Sequence, residues 1–374
     1  MNILVTGAKG FIGKNLTVAL RRQSDLSVWE YDLDSTPQTL EDGLSRADVI
    51  FHLAGVNRPE RVEEFRAGNI DSTRQICDAI RRLGTKPLLV LSSSSQATLD
   101  NPYGVSKRLA EETVFTFGLE TGSPVAVFRF PGVFGKWCRP NYNSVVATFC
   151  YNIAHNLPIT ISDPSRELEL VYVDDVVAAF IKVMNVQRQS IENPFCYVEP
   201  TFHVTLGNLA DTIRSFRKSR NTLLVPAIWD RFTRSLYATY ISHLPTNDFG
   251  YNLRQRVDQR GELAELFKSS HFGQVFVSRT RPGITRGNHY HDTKVEKFIV
   301  LEGEAVIRFR HILGADVIEY PVSGKNFQVV DIPPGYTHSI ENVGQTDLVV
   351  LFWADEILDP AFPDTYPLKV LEGK

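Results

Sequence analysis

The first half of the chain alternates continuous apolar runs with amphipathic stretches, in which apolar residues recur at helical spacing as at Leu16 and Leu20. The apolar runs lie at 3–5, 28–31, 49–53, 88–91 and 125–130. Strands that are apolar along their whole length are buried on both faces, which is typical of parallel sheets covered by helices. The pattern therefore predicts an α/β unit with a Rossmann-type, doubly wound parallel sheet.

After about residue 245 the chain changes to short alternating strands separated by Gly and Pro. These strands lie at 275–278, 297–301, 305–309, 317–320, 327–332 and 348–353. Regular short strands with turns between them favour an all-β sandwich or small barrel. Pro, Asn, Asp and Gly collect between Ser242 and Gly261, so we expect two domains, 1–245 and 246–374.

Composition narrows the partners that the protein can have. A length of 374 residues fits two domains, and the net charge of −3 gives no electrostatic reason to expect nucleic acid or an anionic membrane as a partner. The four cysteines form no Cys-x-x-Cys pair, which suits reduced thiols in a cytoplasm. The chain enters a strand at once without a basic leader, and no apolar run approaches the ~20 residues that span a bilayer. We therefore expect a cytoplasmic protein.

A glycine-rich turn follows the first strand and opens the first helix. The segment 6–13 reads Thr-Gly-Ala-Lys-Gly-Phe-Ile-Gly, and its glycines allow a tight turn and a close approach of the backbone to a pyrophosphate. The helix N-terminus then presents free N–H groups to the phosphates. The predicted cofactor contacts in this turn are Gly7, Lys9, Gly10, Phe11, Ile12 and Gly13.

Tyr103 and Lys107 are spaced Tyr-x-x-x-Lys at the start of a helix, so both side chains lie on one helical face. The ammonium of Lys107 is expected to lower the pKa of the Tyr103 phenol, which then exchanges a proton with a substrate oxygen. Ser94, at the end of the strand before this helix, is expected to hydrogen-bond the same oxygen. We predict that Ser94, Tyr103 and Lys107 are catalytic and that Tyr103 and Lys107 also contact the cofactor.

These motifs together resemble the extended short-chain dehydrogenase/reductase family, which acts mainly on nucleotide sugars. The segments 52–55, 129–135 and 171–175 add to the resemblance. It implies that Ala54 and Gly55 line the cofactor cleft. It also implies that Asn57 and Arg166 bind substrate, the arginine through a diphosphate.

Asp32 lies about 20 residues after the glycine turn, where an acid binds the adenosine ribose. Its charge favours NAD(H) over NADP(H), but Lys9 beside the turn could offset that charge, and Asp32 could also point to solvent. The sequence leaves NAD(H) and NADP(H) open.

Two short segments of the second half carry histidines at regular spacing. Gly283 is followed by His289-x-His291, then by Glu296 and Gly303, and the second segment runs from Pro333 through His338 to Asn342. Both segments resemble the motifs of cupin barrels. Because residues two apart share a strand face, His289 and His291 are expected to point into the barrel, with Glu296 and His338 arriving from neighbouring strands.

Three histidines and one carboxylate suit Zn, Fe, Mn or Ni, so the residue types alone do not select the metal. Zinc is our first expectation, because no redox chemistry is otherwise indicated. The alternative is a cupin that uses its histidines without a metal.

Along its whole length the chain resembles the bifunctional capsular polysaccharide-synthesising enzymes of bacteria. The resemblance implies a UDP-sugar substrate and two reactions. The cupin epimerises C3 of a UDP-2-acetamido-2,6-dideoxy-4-hexulose, and the reductase then reduces C4 to give the L-talose sugar. Analogy with both families implies a homodimer. The acid and base of the epimerisation stay unranked among Tyr290, Lys294, His311, Tyr336 and Glu341.

Two other interpretations stay open. The first half could be a nucleotide-sugar 4-epimerase or dehydratase, although segment 94–98 lacks the acid pair that a dehydratase usually has beside its serine. The cupin could also be a structural or dimerising module with a passive metal.

Overall fold

The computed structural model describes residues 1–185 and 194–371, and the chain divides into two compact units. The first unit holds residues 1–216 and 229–246, and the second holds residues 217–228 and the chain from 247 onward. Residues 217–228, which the predicted division assigns to the first domain, belong to the second unit by their contacts. The domain limits 1–245 and 246–374 stay a prediction.

The helices of the described residues are α1 (Phe11–Leu20), α2 (Pro37–Arg46), α3 (Glu63–Phe65), α4 (Ser72–Leu83), α5 (Pro102–Thr121), α6 (Val145–Ala154), α7 (Val173–Asn185), α8 (Leu206–Thr222) and α9 (Arg231–Ile241). A π-helical turn, Arg66–Asp71, joins α3 to α4. Helix α5 begins where its sequence predicts a start, because the Asn101 side chain caps it by accepting the Gly104 N–H and Pro102 occupies its first turn.

Strands β1 to β9 belong to the first unit. They are β1 (Asn2–Thr6), β2 (Ser27–Tyr31), β3 (Val49–His52), β4 (Leu88–Ser94), β5 (Val125–Phe130), β6 (Gly132–Phe134), β7 (Glu167–Tyr172), β8 (Phe195–Cys196) and β9 (Phe202–Thr205). A parallel sheet has the order β2-β1-β3-β4-β5-β8, and a small sheet has the order β6-β7-β9. The chain moves outward from β1 to β2 and then returns to the other side of β1, so a crevice opens beyond the carboxyl ends of β1 and β3.

Successive residues of the parallel strands enter opposite cores. Ile3 and Val5 pack in a cluster with residues of α1 and α7, whereas Leu4 packs in a cluster with residues of α2, α4 and α5. Phe51 packs in the first of these clusters and Ile50 packs in the second. Burial on both faces explains why these strands are mainly apolar, and the doubly wound sheet predicted from them is confirmed.

A third core of the first unit surrounds the small sheet. It contains Phe134, Leu170, Phe149 of α6, Leu209 of α8 and Leu236 of α9. This lobe brings the chain between β6 and α6 and the strand β7 alongside the crevice of the parallel sheet, where both contribute to one cavity.

Strands β10 to β20 form the second unit. They are β10 (Gln255–Asp258), β11 (Gly261–Ser269), β12 (Gly273–Thr280), β13 (Thr285–Tyr290), β14 (Glu296–Glu302), β15 (Glu304–His311), β16 (Val317–Ser323), β17 (Val329–Ile332), β18 (Tyr336–Asn342), β19 (Leu348–Ala354) and β20 (Tyr366–Pro367). Two antiparallel sheets have the orders β10-β11-β12-β19-β14-β17 and β16-β15-β18-β13-β20.

One apolar core joins residues of both sheets of the second unit. Phe298 and Phe352 come from the first sheet, and Ile307, Phe309 and Ile340 come from the second. The predicted all-β second half is therefore confirmed. Along the described residues, no helix combines the length and the apolar character that crossing a bilayer requires.

Candidate active sites

The glycine turn after β1 leaves no room for side chains. A Cβ on Gly7, whose φ is +68°, would lie 2.6 Å from the backbone nitrogen of Ala54, and a Cβ on Gly13 would lie 2.1 Å from the carbonyl oxygen of Gly7. The first residues of helix α1 therefore pack directly against the backbone of the glycine turn. This compactness lets backbone N–H groups approach an anion at the helix N-terminus.

Asp32 closes the glycine turn from the side of β2. Its carboxylate accepts the backbone N–H of Lys9 at 2.7 Å and that of Leu33 at 2.8 Å. The ammonium of Lys9 forms an ion pair with Asp34 instead. Asp32 therefore keeps a negative charge next to the turn, and the basic group that could offset this charge is already paired with another acid.

A cavity of about 690 Å³ lies over the glycine turn in the first unit. It brings together most of the residues predicted from the sequence. Those that line it are Gly7, Lys9, Gly10, Phe11, Ile12, Gly13, Gly55, Asn57, Ser94, Tyr103 and Lys107. Ala54 and Asp32 are not in this lining, but both contact the glycine turn.

Ser94 and Tyr103 form a hydrogen-bonded pair at the end of β4. Burial raises the pKa of the Tyr103 phenol, and the hydrogen bond with Ser94 opposes that shift. The pKa is thus raised, whereas the Tyr-x-x-x-Lys spacing predicts that it is lowered. That expectation is wrong for this arrangement, because the burial of the phenol dominates.

Lys107 is itself buried, with 8% of its surface exposed, and its ammonium donates to the carbonyl of Ser92 at 3.0 Å. Burial lowers the pKa of Lys107 to about 8, while the carboxylate of Glu111 acts in the opposite direction. The lysine therefore titrates much closer to neutral pH than a lysine on the surface.

Two residues that were not predicted, Asn69 and Glu111, form hydrogen bonds in the surroundings of Tyr103 and Lys107. Asn69, on the π-helical turn, accepts the Val56 N–H and donates to the Ser106 hydroxyl, both within 2.9 Å. Glu111 accepts two hydrogen bonds from Arg129, at 2.9 and 2.6 Å. Glu111 lies one helical turn after Lys107, which is a usable sequence signal, but no local pattern indicates Asn69.

On the substrate side, one of the two predicted residues lies outside the lining of the cavity. Arg166 is exposed and does not belong to the described residues that line the cavity, whereas residues 168–170 of β7 do. The guanidinium that does line it is Arg139, which stacks over the ring of Tyr142 at 4.9 Å. Asn57 lies in the same lining, as expected.

The second unit gathers His289, His291, Glu296 and His338 at one point, and their potential ligand atoms all lie within 4.8 Å of one another. His289 lies directly opposite His338 across the β13–β18 pair, after a bulge between Gly287 and His289. Glu296 is the first residue of β14 in the facing sheet. The expectation that Glu296 arrives from a neighbouring strand is therefore wrong, and the cluster bridges the two sheets.

The geometry of this cluster fits a divalent metal. Glu296 Oε2 lies 3.3 Å from His291 Nε2 and 3.5 Å from His338 Nε2. These separations match the ~3.3 Å between ligand atoms of a tetrahedral site with bonds of about 2.0–2.1 Å. Both Nε2 atoms are buried without a hydrogen-bond partner among the described residues.

The protonation states also suit metal ligands. Burial and the neighbouring histidines lower the pKa of His289 to about 4. Burial raises the pKa of Glu296, but the close approach of His291 and His338 outweighs burial and brings the value to about 2. At neutral pH the cluster then offers a neutral imidazole and an ionised carboxylate, the forms that bind metals.

The five acid or base candidates of this unit have different partners. Glu341 forms an ion pair with Arg308, and the rings of His311 and Tyr336 meet edge to face. Lys294, with 5% of its surface exposed, donates to the hydroxyl of Thr365 at 3.0 Å. The remaining candidate, Tyr290, stacks on Tyr366 with ring centroids 5.2 Å apart.

Each unit contains a segment that matches a protein family, and the whole chain is similar to known proteins. Residues 3–194 match the NAD dependent epimerase/dehydratase family, and residues 256–366 match the polysaccharide biosynthesis C-terminal domain. A UDP-2-acetamido-2,6-beta-L-arabino-hexul-4-ose reductase of Pseudomonas aeruginosa is 44% identical over 373 residues, which is 100% of both chains. The chain belongs to the NAD dependent epimerase/dehydratase family.

Solved structures are similar to this chain as well. The capsular polysaccharide assembling protein CapF from Staphylococcus aureus superposes with a TM-score of 0.92 at 48% identity, over 99% of this chain and 100% of that one. The resemblance to bifunctional capsular polysaccharide-synthesising enzymes is thereby confirmed. UDP-glucuronic acid 4-epimerase from Bacillus cereus, solved with UDP-glucuronic acid and NAD, covers 65% of this chain and 99% of its own at 18% identity, with a TM-score of 0.56, and shares the fold.

These matches define the class of the enzyme. It is an NAD(P)-dependent nucleotide-sugar enzyme of the reductase and epimerase type, related to capsule biosynthesis.

Proposed function

We propose that the chain catalyses two consecutive reactions on one nucleotide sugar. The second unit inverts C3 of a UDP-2-acetamido-2,6-dideoxy-4-hexulose, and the first unit reduces its C4 ketone to give UDP-2-acetamido-2,6-dideoxy-L-talose. The observation that carries this proposal is that each unit holds a separate constellation of reactive side chains, Ser94 with Tyr103 and Lys107 in one and the three-histidine cluster in the other. The hexulose reductase name of the Pseudomonas aeruginosa relative supports the substrate class.

In the first unit the chain must hold the ketone and deliver a proton. When bound, NAD(P)H supplies the hydride for C4. Tyr103 donates its phenolic proton to the C4 oxygen, and Ser94 hydrogen-bonds that oxygen. The raised pKa of Tyr103 keeps the phenol protonated at neutral pH, which a proton donor in the reductive direction needs.

In the second unit the 4-keto group makes the C3 proton acidic. A base removes this proton, and an acid returns one to the opposite face, so the sugar gains and loses no atoms. A divalent cation held by the cluster supplies Lewis-acid stabilisation of the negative charge that develops on the sugar. Two of the candidates lie near His291 of the metal cluster in the sequence. Tyr290 directly precedes it, and Lys294 follows it three residues later.

The cofactor preference follows from the glycine turn. We propose that the enzyme prefers NAD(H), because the carboxylate of Asp32 is held beside the turn and Lys9 is paired with Asp34. Zinc as the metal, a homodimer, the domain limits and a cytoplasmic location remain predictions.

The test is to follow the 4-keto substrate by NMR and mass spectrometry in D₂O with NADH or NADPH. We expect deuterium at C3 and a reduced product with the talose configuration. Tyr103→Phe should abolish hydride transfer but leave deuterium exchange at C3, and Tyr151→Phe, whose ring stacks on His155, is the matched control. Loss of both activities in Tyr103→Phe would contradict separate sites. A product without net NADH consumption or C3 exchange would instead support a 4-epimerase or dehydratase with a structural cupin.

A further inference from the structure

The turn between two residues of the metal cluster is held by an acid from a distant part of the chain. Residues 292–295 connect His291 to Glu296. The carboxylate of Asp364 accepts the backbone N–H groups of the first three of them, and it also accepts the Thr293 hydroxyl at 3.0 Å. The N–H distances are 3.0 Å for Asp292, 3.0 Å for Thr293 and 2.8 Å for Lys294.

The backbone of the same acid orients the imidazole of His291. Nδ1 of His291 lies 2.6 Å from the carbonyl oxygen of Asp364. Because a carbonyl oxygen only accepts hydrogen bonds, Nδ1 carries a proton, and in the neutral ring Nε2 is then the nitrogen that can bind a metal. That Nε2 atom is the one that faces Glu296 Oε2 at 3.3 Å.

Asp364 holds this position against a backbone preference. Its φ of +28° lies in a region that residues other than glycine seldom occupy, so the surrounding bonds must stabilise it. The following residues are fixed as well, since Tyr366 pairs with Tyr290 and the Leu368 N–H donates to the Asn288 carbonyl at 2.9 Å. Residues 363–370, which we call the strap, therefore run along β13 next to the cluster.

We propose that Asp364 is a positioning residue for metal binding. Its carboxylate fixes the 292–294 turn between two ligands, and its carbonyl oxygen fixes the tautomer and ring orientation of His291. This inference rests on the metal-binding role proposed for the cluster. It goes beyond the cupin motifs, because Asp364 lies 73 residues after His291. Loss of such an outer partner typically weakens metal binding 10- to 100-fold.

The experiment measures Zn²⁺ affinity of the full-length protein by competition with a chelator of known affinity. We expect Asp364→Ala to bind Zn²⁺ 10- to 100-fold more weakly. Asp364→Gly should lose as much Zn²⁺ affinity as Asp364→Ala, because glycine tolerates the positive φ but has no carboxylate. Asp359→Ala is the matched control, since Asp359 is exposed and, among the residues that the structure describes, its carboxylate accepts the nearby Ala361 N–H alone.

A second readout separates positioning from general stability. In metal-free wild-type protein, long-range ¹H–¹⁵N NMR should show His291 as the Nδ1–H tautomer, and Asp364→Ala should show a mixture. NADH binding by the first unit should be unchanged in every variant. If Asp364→Ala does not fold, Asp364→Asn, which keeps one acceptor oxygen, should give an intermediate affinity.

Two outcomes distinguish failure of the inference from failure of the proposed function. Wild-type affinity in both Asp364→Ala and Asp364→Gly would overturn the role of Asp364 while leaving the metal site intact. A wild-type protein that holds no Zn²⁺ or other divalent metal would overturn the metal-binding role itself.

Discussion

Replacing Gly13 by alanine should disable cofactor binding through a collision within the backbone. The new Cβ would lie 2.1 Å from the Gly7 carbonyl oxygen and 2.8 Å from Cα of Ala8. Carbon needs roughly 3.5 Å from such atoms, so the turn and α1 must separate by more than about 1 Å. A misplacement of this size costs on the order of 100-fold, or about 2.8 kcal/mol of binding free energy.

Two other glycines provide a graded comparison. A Cβ on Gly10 would lie 3.0 Å from the same carbonyl oxygen, so Gly10→Ala should weaken NAD(H) binding by no more than about tenfold. A Cβ on Gly250 meets nothing within 4 Å, so Gly250→Ala should bind as the wild type does. The order of affinities should thus follow the space available at each glycine.

The assay is fluorescence titration of NADH with each variant, after circular dichroism has shown that the variant is folded. A folded Gly13→Ala protein that binds NADH as tightly as Gly250→Ala would refute the reasoning. It would mean that the turn is compliant or that the dinucleotide binds elsewhere.

Three further predictions concern charge. Asp32→Ala should improve the use of NADPH relative to NADH, because a carboxylate beside the ribose repels a 2′-phosphate; an unaltered ratio of kcat/KM values would mean that Asp32 does not face the ribose. Since burial lowers the pKa of Lys107 to about 8, its ammonium is present below that pH and is lost above it, so single-turnover hydride transfer should slow above pH about 8. A rate that stays flat to pH 10 would contradict a role for the charged lysine. Arg139→Ala should weaken UDP binding, measured by calorimetry, more than Arg166→Ala does, because Arg139 lines the cavity and Arg166 is exposed; the reverse order would restore the sequence-based assignment.

The parts of the fold that the sequence predicts are those in which local pattern and burial agree. Residues 88–91 are apolar throughout, and residues 125–130 are apolar except for Arg129, because both faces of their strands are covered; both are strands in the parallel sheet. The glycine turn was predictable because its spacing reports a steric requirement at Gly7 and Gly13.

Other strands lack such a local signal. Strand β11 mixes charged and apolar residues, since only part of its surface is buried, and it could not be recognised from alternation. Strand β17 begins at Val329 rather than at residue 327, because Phe327 is exposed and lies outside the ladder.

Long-range contacts account for the differences between the sites predicted from the sequence and the sites in the structure. The spacing of the cupin motifs indicates the four residues of the cluster, but only the pairing of strands shows that Glu296 comes from the facing sheet. The spacing of Tyr103 and Lys107 indicates a shared helical face, but not how deeply the phenol is buried, and this burial determines the direction of its pKa shift.

The strap has a consequence for the order in which the second unit matures during synthesis. His291 leaves the ribosome 73 residues before Asp364, the residue whose carbonyl oxygen orients its ring. At roughly 5–20 residues per second, the imidazole waits about 4–15 s for that partner. During this interval the ring of His291 is free to present either nitrogen. We therefore expect the cluster proposed to bind a metal to reach its final order only after Asp364 has been synthesised.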